Sequence, residues 1–548
     1  MEQITFWIIL GYLALLLVLG MASKLFSRGT SADYFVVSRS VGPFLLLMSI
    51  FGTTMTGFAL VGSTGKAYAI GIGVYGLMAS WSGLMHSGVF FLVGIRLWAA
   101  GKRHGLVTQC EYFRERFDSP ALAYLLFPML VLLVIPYILV GVISAGKFLQ
   151  GATAGLSPEW FPMPAIVLPD GTGQPHPLHG SIPAQWGALV ICLVVLSYVF
   201  LGGLRGAVWA NAFQTIIFMC SGVVAFYLIS QRLGGLAEAG RLVYESEFAK
   251  SRLVREGSIG HLQFLTYCLV PISVGMFPHV FQHWLTARDA KAFRLTVVAH
   301  PLCIMIVWLP CILIGTWAAA YLGPLGPNQN PNMVLGRMVN DLVQSPILSG
   351  IVAAGVLAAI MSSLDSQFVC LGTMFTTDVV VRVSKRPLTD RQKILISRLF
   401  ILAVVAVSYG LAMWLKDSAH VFDLGVWCFS GFAALFPLVF AAVYWRRATA
   451  AGAISAAVVT TVSWLVLFWR DMIATKPPGE DELLIYGMMP VTIMFALSAG
   501  TLVAVSLLTR PPSEATIARF FPANSGRGQE FTHPVKPASL PPPIRPIS

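Results

Sequence analysis

Long apolar stretches alternate with short polar ones along nearly the whole chain. A helix needs about 20 apolar residues to cross a bilayer, and the pattern predicts 13 such spans. Their approximate positions are 5–23, 41–70, 73–99, 120–150, 185–202, 207–231, 261–285, 295–322, 347–375, 394–416, 421–445, 450–470 and 486–509. The chain is therefore predicted to be an all-α polytopic protein embedded in a lipid bilayer.

Two of the predicted spans are interrupted. Residues 51–57 place two glycines and three threonines inside the second span, and residues 274–279 contain Pro278 inside the seventh. Within hydrocarbon, a broken helix is stable only where protein encloses it and it lines a cavity. A packing face of small residues and a simple proline kink are the alternatives. Because the breaks lie five spans apart, as inverted repeats require, they favour a transport site.

The loops between the spans carry an asymmetric charge. Lys and Arg collect in alternate short loops, whereas the loop at 153–184 has neither and the loop at 323–346 has only Arg337. The positive-inside rule then predicts a protein of the cell membrane with its N-terminus outside and its C-terminus in the cytoplasm. This distribution accounts for the net charge of +12 without a nucleic-acid partner.

Composition excludes several classes of protein. With 56% hydrophobic and 11% charged residues, the chain is not an ordinary soluble protein. Its eight cysteines show no CxxC spacing, so we predict no disulfide framework and no zinc site. Phosphate-loop and nucleophile-elbow motifs are missing, which argues against an enzyme.

The spans and loops suggest a division of the chain. A first helix and loop (1–40) precede two five-span repeats, and two further spans and a tail follow the second repeat. The segments are 1–40, 41–231, the external loop 232–260, 261–445, 446–509 and the Pro-rich, polar tail 510–548. We predict a disordered tail, an irregular loop at 153–184 and a short amphipathic helix at 333–343.

The predicted span 347–375 carries an unusual concentration of oxygen. Ala354, Ala358, Ser362 and Ser366 recur at i, i+4 spacing, which lets a neighbouring backbone approach closely. The serine hydroxyls can bond back to their own helix, or they can join free carbonyls in holding a cation. Asp365 is ionisable within a span, so it is a candidate site by default. A hydrated vestibule residue is the alternative.

Four motifs resemble the sodium/solute symporter family, and the similarity covers nearly the whole chain. They are Tyr34-Phe35-Val36-Val37-Ser38-Arg39, Gly202-Gly203-Leu204-Arg205-Gly206-Ala207-Val208-Trp209, Ala358-Ala359-Ile360-Met361-Ser362-Ser363-Leu364-Asp365-Ser366-Gln367 and Tyr444-Trp445-Arg446-Arg447-Ala448-Thr449-Ala450-Ala451-Gly452-Ala453. The resemblance implies 13 helices in a leucine-transporter-like 5+5 inverted repeat, with broken core helices one and six. It also implies a sodium ion bound by the carbonyls of Gly52, Met55 and Ala359 and the hydroxyls of Ser362 and Ser363.

The chain departs from the family pattern at two places. Many relatives carry an aspartate two residues after the tryptophan of core helix five, where this chain has Asn211. We hypothesise that Asp365 and Ser366, with Asn211, form a second cation site that supplies the missing charge. Proline-carrying relatives have an acid where this chain has Thr54, which argues against proline as the solute.

The solute is expected to lie beside the two breaks. The residues expected to face it are Thr53, Thr54, Gly57, His86, Phe277, Pro278 and Phe432. An anion such as a carboxylate could use the N–H groups of the half-helix that starts near Gly57, together with Lys66.

The function implied is sodium-coupled symport of a small organic solute by alternating access, with sodium as the coupling ion. A proton-coupled or uncoupled carrier is one alternative, and a transporter-like sensor without transport is another.

Overall fold

The computed structural model describes residues 3–25, 30–164, 166–167, 173–174, 176, 178–326, 329–417, 420–473 and 483–521. Within them the fold is almost entirely helical. The helices are α1 (Gln3–Leu25), α2 (Ser31–Val36), α3 (Pro43–Thr54), α4 (Phe58–Ile70), α5 (Gly73–His104), α6 (Gln109–Phe117), α7 (Pro120–Ala152), α8 (Ala184–Arg232), α9 (Leu236–Glu245), α10 (His261–Gly275), α11 (Pro278–Thr286), α12 (Phe293–Leu322), α13 (Val334–Leu342), α14 (Pro346–Val383), α15 (Asp390–Leu415), α16 (Val421–Tyr444), α17 (Ala450–Met472), α18 (Pro490–Leu508) and α19 (Glu514–Phe520). Short 3₁₀ turns lie at Val37–Arg39, Lys250–Leu253, Ala290–Ala292 and Pro331–Met333.

Among the described residues, 10 helices are long and apolar enough to cross a membrane, or up to 12 if each bent pair is one span. The segment α8 covers both predicted spans 185–202 and 207–231 in 49 residues, and it consists of two helices that meet at a kink. At 1.5 Å per residue, the 19 residues before Gly203 extend for about 29 Å and the 29 residues after it for about 44 Å, so each part is long enough for one crossing of a hydrocarbon core. Its backbone leaves the helical region at Gly203 (φ 54, ψ −146), so the expected boundary is a one-residue kink and not a loop.

The kink at Gly203 joins two of the sequence motifs. A Cβ atom on Gly203 would lie 2.5 Å from the ring of Tyr34, which packs on the kink. Tyr34 also donates a hydrogen bond to the Val199 carbonyl at 3.3 Å. Just beyond the kink, Arg205 forms a two-pronged ion pair with the buried Asp33 of α2. Glycine is required here for both the positive φ and the close approach.

The helices differ in their position within the bundle. In α14 and α16, 83% of the most apolar window is buried, whereas α1, α15, α17 and α18 bury only 28–33%. The second group is apolar yet exposed, as expected of helices that face lipid. The candidate site residues lie on the buried helices and their neighbours.

The connections hold two of the predicted features. Helix α13 forms at Val334–Leu342, which confirms the amphipathic helix predicted in the loop at 323–346. In the loop predicted to be irregular, β1 (Ile166–Val167) and β2 (Gly173–Gln174) pair antiparallel.

The tail begins with structure that the sequence did not predict. Helix α19 packs against the end of α5 and against α6, where the Arg519 guanidinium lies 2.8 Å from Glu115 and the rings of Phe520 and His104 lie 4.9 Å apart. The prediction of disorder from residue 510 was therefore wrong for 514–520, because an aromatic side chain and an ion pair hold the helix. Residues 522–548 lie outside the described residues.

Candidate cation and solute sites

The first predicted break is confirmed. Helix α3 ends at Thr54, α4 begins at Phe58, and the two are bent by 59°. Met55 is extended (φ −89, ψ 104), so the regular helix hydrogen bonding of α3 stops at this residue. Gly57 lies against α7, because a Cβ atom there would be 2.2 Å from the Ser144 hydroxyl. Protein therefore encloses the break.

The second predicted break is also confirmed. Helix α10 ends at Gly275, α11 begins at Pro278, and the bend is 51°. Phe277 is extended (φ −65, ψ 115), as the residue before a proline usually is. Pro278 occupies the first turn of α11, where its missing N–H leaves no helix hydrogen bond unmade.

Helix α14 meets the first break at Ser362. The Ser362 hydroxyl oxygen lies 2.7 Å from the Gly52 carbonyl oxygen and 2.8 Å from that of Ala359. The Ser363 hydroxyl lies 2.9 Å from the Ile360 carbonyl of its own helix. Met55 is the first residue beyond α3. The structure thus brings Gly52, Ala359 and Ser362 into contact, whereas the Ser363 hydroxyl bonds within its own helix and Met55 lies three residues beyond Gly52.

Gly52 allows α3 to approach α8 as well. A Cβ atom on Gly52 would lie 2.5 Å from the Thr215 hydroxyl and 3.3 Å from the Asn211 carbonyl oxygen. The Thr215 hydroxyl in turn donates to the Met48 carbonyl at 3.0 Å. Helix α3 is therefore held between α8 and α14 at Gly52.

Asp365 lies in a buried polar network on the same helix. Its two carboxylate oxygens accept hydrogen bonds from the Ser366 and Tyr198 hydroxyls, each at 3.0 Å. Asn211 donates its side-chain amide to the Ser366 oxygen at 2.9 Å, while its amide oxygen is buried with no hydrogen-bond partner among the described residues. Asp365 is fully buried in this conformation, whereas a hydrated vestibule residue would be exposed.

His283 connects this network to the first break. On α11, its Nδ1 lies 2.6 Å from the Ser49 hydroxyl and its Nε2 lies 3.0 Å from that of Ser366. Ser49 is on α3 and Ser366 is on α14. One imidazole therefore bridges both broken helices and α14.

The expected solute-facing residues fall into two groups. In the first, the Thr54 hydroxyl lies 3.3 Å from Nε2 of His300 on α12, and the rings of His300 and His86 are 5.3 Å apart. Thr53, on the same turn as Thr54, is also buried. His300 was not predicted, although a histidine within an apolar span is itself a signal.

The second group surrounds the break at Pro278. The Phe277 ring lies 5.1 Å from Phe432, 5.4 Å from Tyr137 and 5.2 Å from His279, between ring centroids. His279 is fully buried, and neither ring nitrogen has a hydrogen-bond partner among the described residues. This group is an aromatic box with one imidazole.

One end of the bundle, which we call the Lys66 end, is closed by two ion pairs. Lys66 on α4 lies 3.2 Å from Asp423 on α16, and Lys147 on α7 lies 2.7 Å from Asp417. Lys66 is thus already paired, which weakens its expected role in binding an anion. Burial raises and the hydrogen bonds from Lys147 and Lys416 lower the pKa of Asp417, which is lowered overall. A small pocket opens beside Asp423, between α10 and α16.

The opposite end, which we call the Asp33 end, is closed more extensively. Besides the pair of Asp33 with Arg205, Arg382 lies 3.1 Å from Glu111. Thr108 donates a hydrogen bond to Asp378 at 2.8 Å. Helix α6 carries Glu111 and begins just after Thr108, and it is the helix on which α19 packs.

Known proteins resemble this chain along most of its length. The family described as Sodium:solute symporter family matches residues 34–159 and 181–460. The sodium/proline symporter of Haemophilus influenzae is 23% identical over 532 residues, which cover 93% of this chain and 95% of that protein. The osmoregulated proline transporter OpuE of Bacillus subtilis is 23% identical over 496 residues, which cover 89% and 92%.

Solved structures share the fold. A Na⁺-coupled sialic acid symporter, in a substrate-bound outward-open state, superposes with a TM-score of 0.69 at 19% identity, covering 93% of this chain and 99% of that one. The nucleobase-cation-symport-1 family transporter Mhp1, in a closed conformation, gives 0.51 at 15% identity, covering 89% and 97%.

Proposed function

The chain belongs to the sodium:solute symporter family, as its four motifs predicted, and we propose that it imports a small organic solute together with sodium. Its relatives are transporters and not enzymes. The observation that carries the proposal is the contact of Ser362 with the Gly52 and Ala359 carbonyl oxygens at the first break. Three oxygens from two helices converge beside the end of α3, where the regular helix hydrogen bonding of that helix stops.

The proposed sodium site uses neutral oxygen ligands. Carbonyls of Gly52, Met55 and Ala359 and hydroxyls of Ser362 and Ser363 would give five oxygens, which suits a hard cation. Unwound backbone carbonyls serve this purpose in transporters with broken helices. In the structure Ser362 bonds directly to Gly52, so binding an ion would turn the hydroxyl hydrogen away and separate these oxygens.

A second cation site is proposed at Asp365, Ser366 and Asn211. The support is a fully buried carboxylate whose hydrogen-bond partners among the described residues are neutral groups, beside a buried amide oxygen with no partner in the same part of the chain. A cation there would balance a charge that is expensive to bury alone.

The Asp365→Asn variant tests this second site. We expect the sodium concentration for half-maximal transport to rise roughly tenfold, about 1.4 kcal/mol, because the amide keeps the shape and loses the charge. Asp341→Asn on α13 is the matched control and should leave that concentration unchanged. Unaltered sodium activation in Asp365→Asn would contradict the second site.

We propose that the helices form 13 spans in a 5+5 inverted repeat, at 41–231 and 261–445. The 12 candidate spans become 13 when α8 is divided at its kink, Gly203. The basic loops support a cytoplasmic Asp33 end and an external Lys66 end, which puts the N-terminus outside. Rocking of the repeats about the breaks would then expose the site alternately to each side.

The solute is proposed to be a small carboxylate-bearing molecule. The relatives named above carry proline according to their names, but Thr54 replaces the acid of that group, and its hydroxyl contacts His300. The N–H groups at the start of α4 are suited to a carboxylate. Thr53, Thr54, Gly57, His86, Phe277, Pro278 and Phe432 are the proposed solute-facing residues.

Coupling would follow from the break itself. Sodium that bridges α3 and α14 fixes the residues around Met55, so the solute no longer bears the cost of ordering them. By linkage the solute must tighten sodium by the same factor. The membrane potential adds about 2.3 kcal/mol per charge per 100 mV.

Uptake by proteoliposomes, with sodium or choline outside, tests the proposal. We expect sodium-dependent accumulation of at least one labelled solute from a panel of amino acids, hydroxy acids and monocarboxylates. Ser362→Ala should raise the half-saturating sodium concentration at least tenfold, about 1.4 kcal/mol. Ser463→Ala is the control, because the Ser463 hydroxyl donates to carbonyls of its own peripheral helix, α17.

Other outcomes identify the rival functions. Accumulation driven by a pH gradient without sodium would support a proton-coupled carrier, which the neutral Asn211 favours. Sodium stabilisation of the purified protein without accumulation of any solute would support a sensor.

A further inference from the structure

His300 lies at the end of the first half of the broken helix. Its Nε2 is 3.3 Å from the Thr54 hydroxyl, and Thr54 is the last residue of α3. The rings of Phe51 and Phe90 meet it edge to face at 5.3 and 5.0 Å between centroids. His300, on α12, has no exposed surface and therefore has a fixed position against α3 and α5.

The hydrogen bonds of Thr54 assign the roles of the two ring nitrogens. Its hydroxyl oxygen is 3.0 Å from both the Ile50 and the Phe51 carbonyl oxygens, and it has one hydrogen to donate to them. Because both carbonyl oxygens are nearer than Nε2 at 3.3 Å, we assign the hydroxyl hydrogen to them, and Nε2 then carries the N–H that Thr54 accepts. In a neutral imidazole the other nitrogen, Nδ1, is then an acceptor.

This acceptor is left without a partner. Nδ1 of His300 is buried and has no hydrogen-bond partner among the described residues. The same holds for Nδ1 of His86, whose ring lies 5.3 Å away, and for the Thr53 hydroxyl. An unmade buried hydrogen bond costs about 1–3 kcal/mol, and three such atoms beside the break call for a ligand.

We propose that His300 is a specificity-determining residue that accepts a hydrogen bond from an N–H or O–H group of the solute. The inference rests on the proposed solute transport and narrows the solute to amino or hydroxy carboxylic acids. A simple monocarboxylate has no hydrogen to give, so it would leave the His300 acceptor unpaired. Sites built to hydrogen-bond a solute reject an analogue that lacks the group far better than apolar pockets reject a missing methylene.

Matched probe pairs test this narrower class. The purified full chain in nanodiscs, in sodium, is titrated with L-lactate against propionate and L-proline against cyclopentanecarboxylate, and the melting temperature is followed. Each pair keeps the carboxylate and differs at the donor group. We expect the donor-bearing member of at least one pair to bind at least tenfold more tightly than its analogue.

Two conservative variants separate recognition from packing. His300→Asn keeps an oxygen near the Nδ1 position, whereas His300→Gln can keep the contact to Thr54 but carries no acceptor at that point. We expect His300→Gln to lose most of the discrimination within the pair and His300→Asn to keep part of it. A purely structural role would lower the melting temperature in both variants and leave the discrimination ratio unchanged.

Three results would overturn the inference: equal binding within both pairs in the unmodified protein, equal discrimination in His300→Gln, and no binding of any probe. A second titration distinguishes failure of this inference from failure of the proposed sodium binding. Sodium is compared with choline in the absence of solute, and the melting temperature is followed. His300→Gln should then respond to sodium as the unmodified protein does, and Ser362→Ala should not.

Discussion

The two broken spans have similar bends and different causes. The bend between α3 and α4 is 59° and that between α10 and α11 is 51°. The first break contains no proline, and its residues are held by neighbours such as Ser362, Thr215 and Ser144. The second is built on Pro278, which cannot continue the helix hydrogen bonding of the preceding turn.

The difference separates a responsive break from a fixed one. At Pro278 the residue lacks the N–H that a continuing helix needs and disfavours helix at Phe277, so this break depends less on its neighbours. A break of glycine and threonine depends on what the free backbone groups find nearby, so a bound cation can change it. We therefore expect sodium to change the backbone at the first break. The second break should act as a hinge whose bend sodium does not alter.

Gly52→Ala should have the largest effect. The added Cβ would lie 2.5 Å from the Thr215 hydroxyl and 3.3 Å from the Asn211 carbonyl oxygen, and backbone does not yield easily. The Gly52 carbonyl would then move away from Ser362, and displacement of about 1 Å can cost roughly 100-fold in rate. We expect sodium-driven uptake to fall about 100-fold, measured in proteoliposomes.

Gly222→Ala is the control for the loss of glycine itself. Gly222 lies on α8, as Thr215 and Asn211 do, and nothing lies within 4 Å of the Cβ it would gain. It should transport normally and melt at an equal or slightly higher temperature. Normal sodium activation in Gly52→Ala would show that the first break does not respond to sodium.

The parts of the site that were predicted from sequence are those encoded locally. The first gap was predicted from the glycines and threonines at 51–57 and the second from Pro278, and Ser362 was predicted from its spacing and motif. The contacts of Gly52 with Ser362 and of Asn211 with Ser366 were expected only through the family resemblance. Other contacts between spans were not predicted, because in a bilayer the lipid-facing and the buried surfaces are both apolar. His300, His283 and Tyr198 therefore became visible only once α12, α11 and α8 were in place around α3 and α14.

Pro278→Ala should have an intermediate effect. Alanine can occupy the first turn of α11, and the main change is greater freedom at Phe277, worth about 0.4–1 kcal/mol. We expect the maximal uptake rate to fall roughly fivefold, with the half-saturating sodium concentration within twofold of normal. A sodium requirement that rises as in Gly52→Ala would mean that both breaks respond to the ion.

Lys66→Met should have the smallest effect. It tests a difference in how the outer halves of the two broken spans, α4 and α10, are held. Helix α4 is held to α16 by the Lys66–Asp423 ion pair at 3.2 Å. Helix α10 is held to α5 by a neutral hydrogen bond, from the Trp81 indole to the Phe264 carbonyl at 3.0 Å. The pair is partly exposed, so its loss should cost up to about 1 kcal/mol, and salt should weaken it in the unmodified protein.

The readout is access to the pocket beside Asp423, which Ser430 lines. In a cysteine-free background carrying Ser430→Cys, Lys66→Met should raise the rate of thiol labelling about two- to fivefold. Choline chloride at constant sodium should raise the rate more when Lys66 is present than in Lys66→Met, because the Lys147–Asp417 pair at the same end is screened in both proteins. Lys250→Met, which removes a charge outside the bundle, should change neither rate. Equal salt dependence with and without Lys66 would mean that the outer half of the first span is held, like α10, by neutral contacts alone.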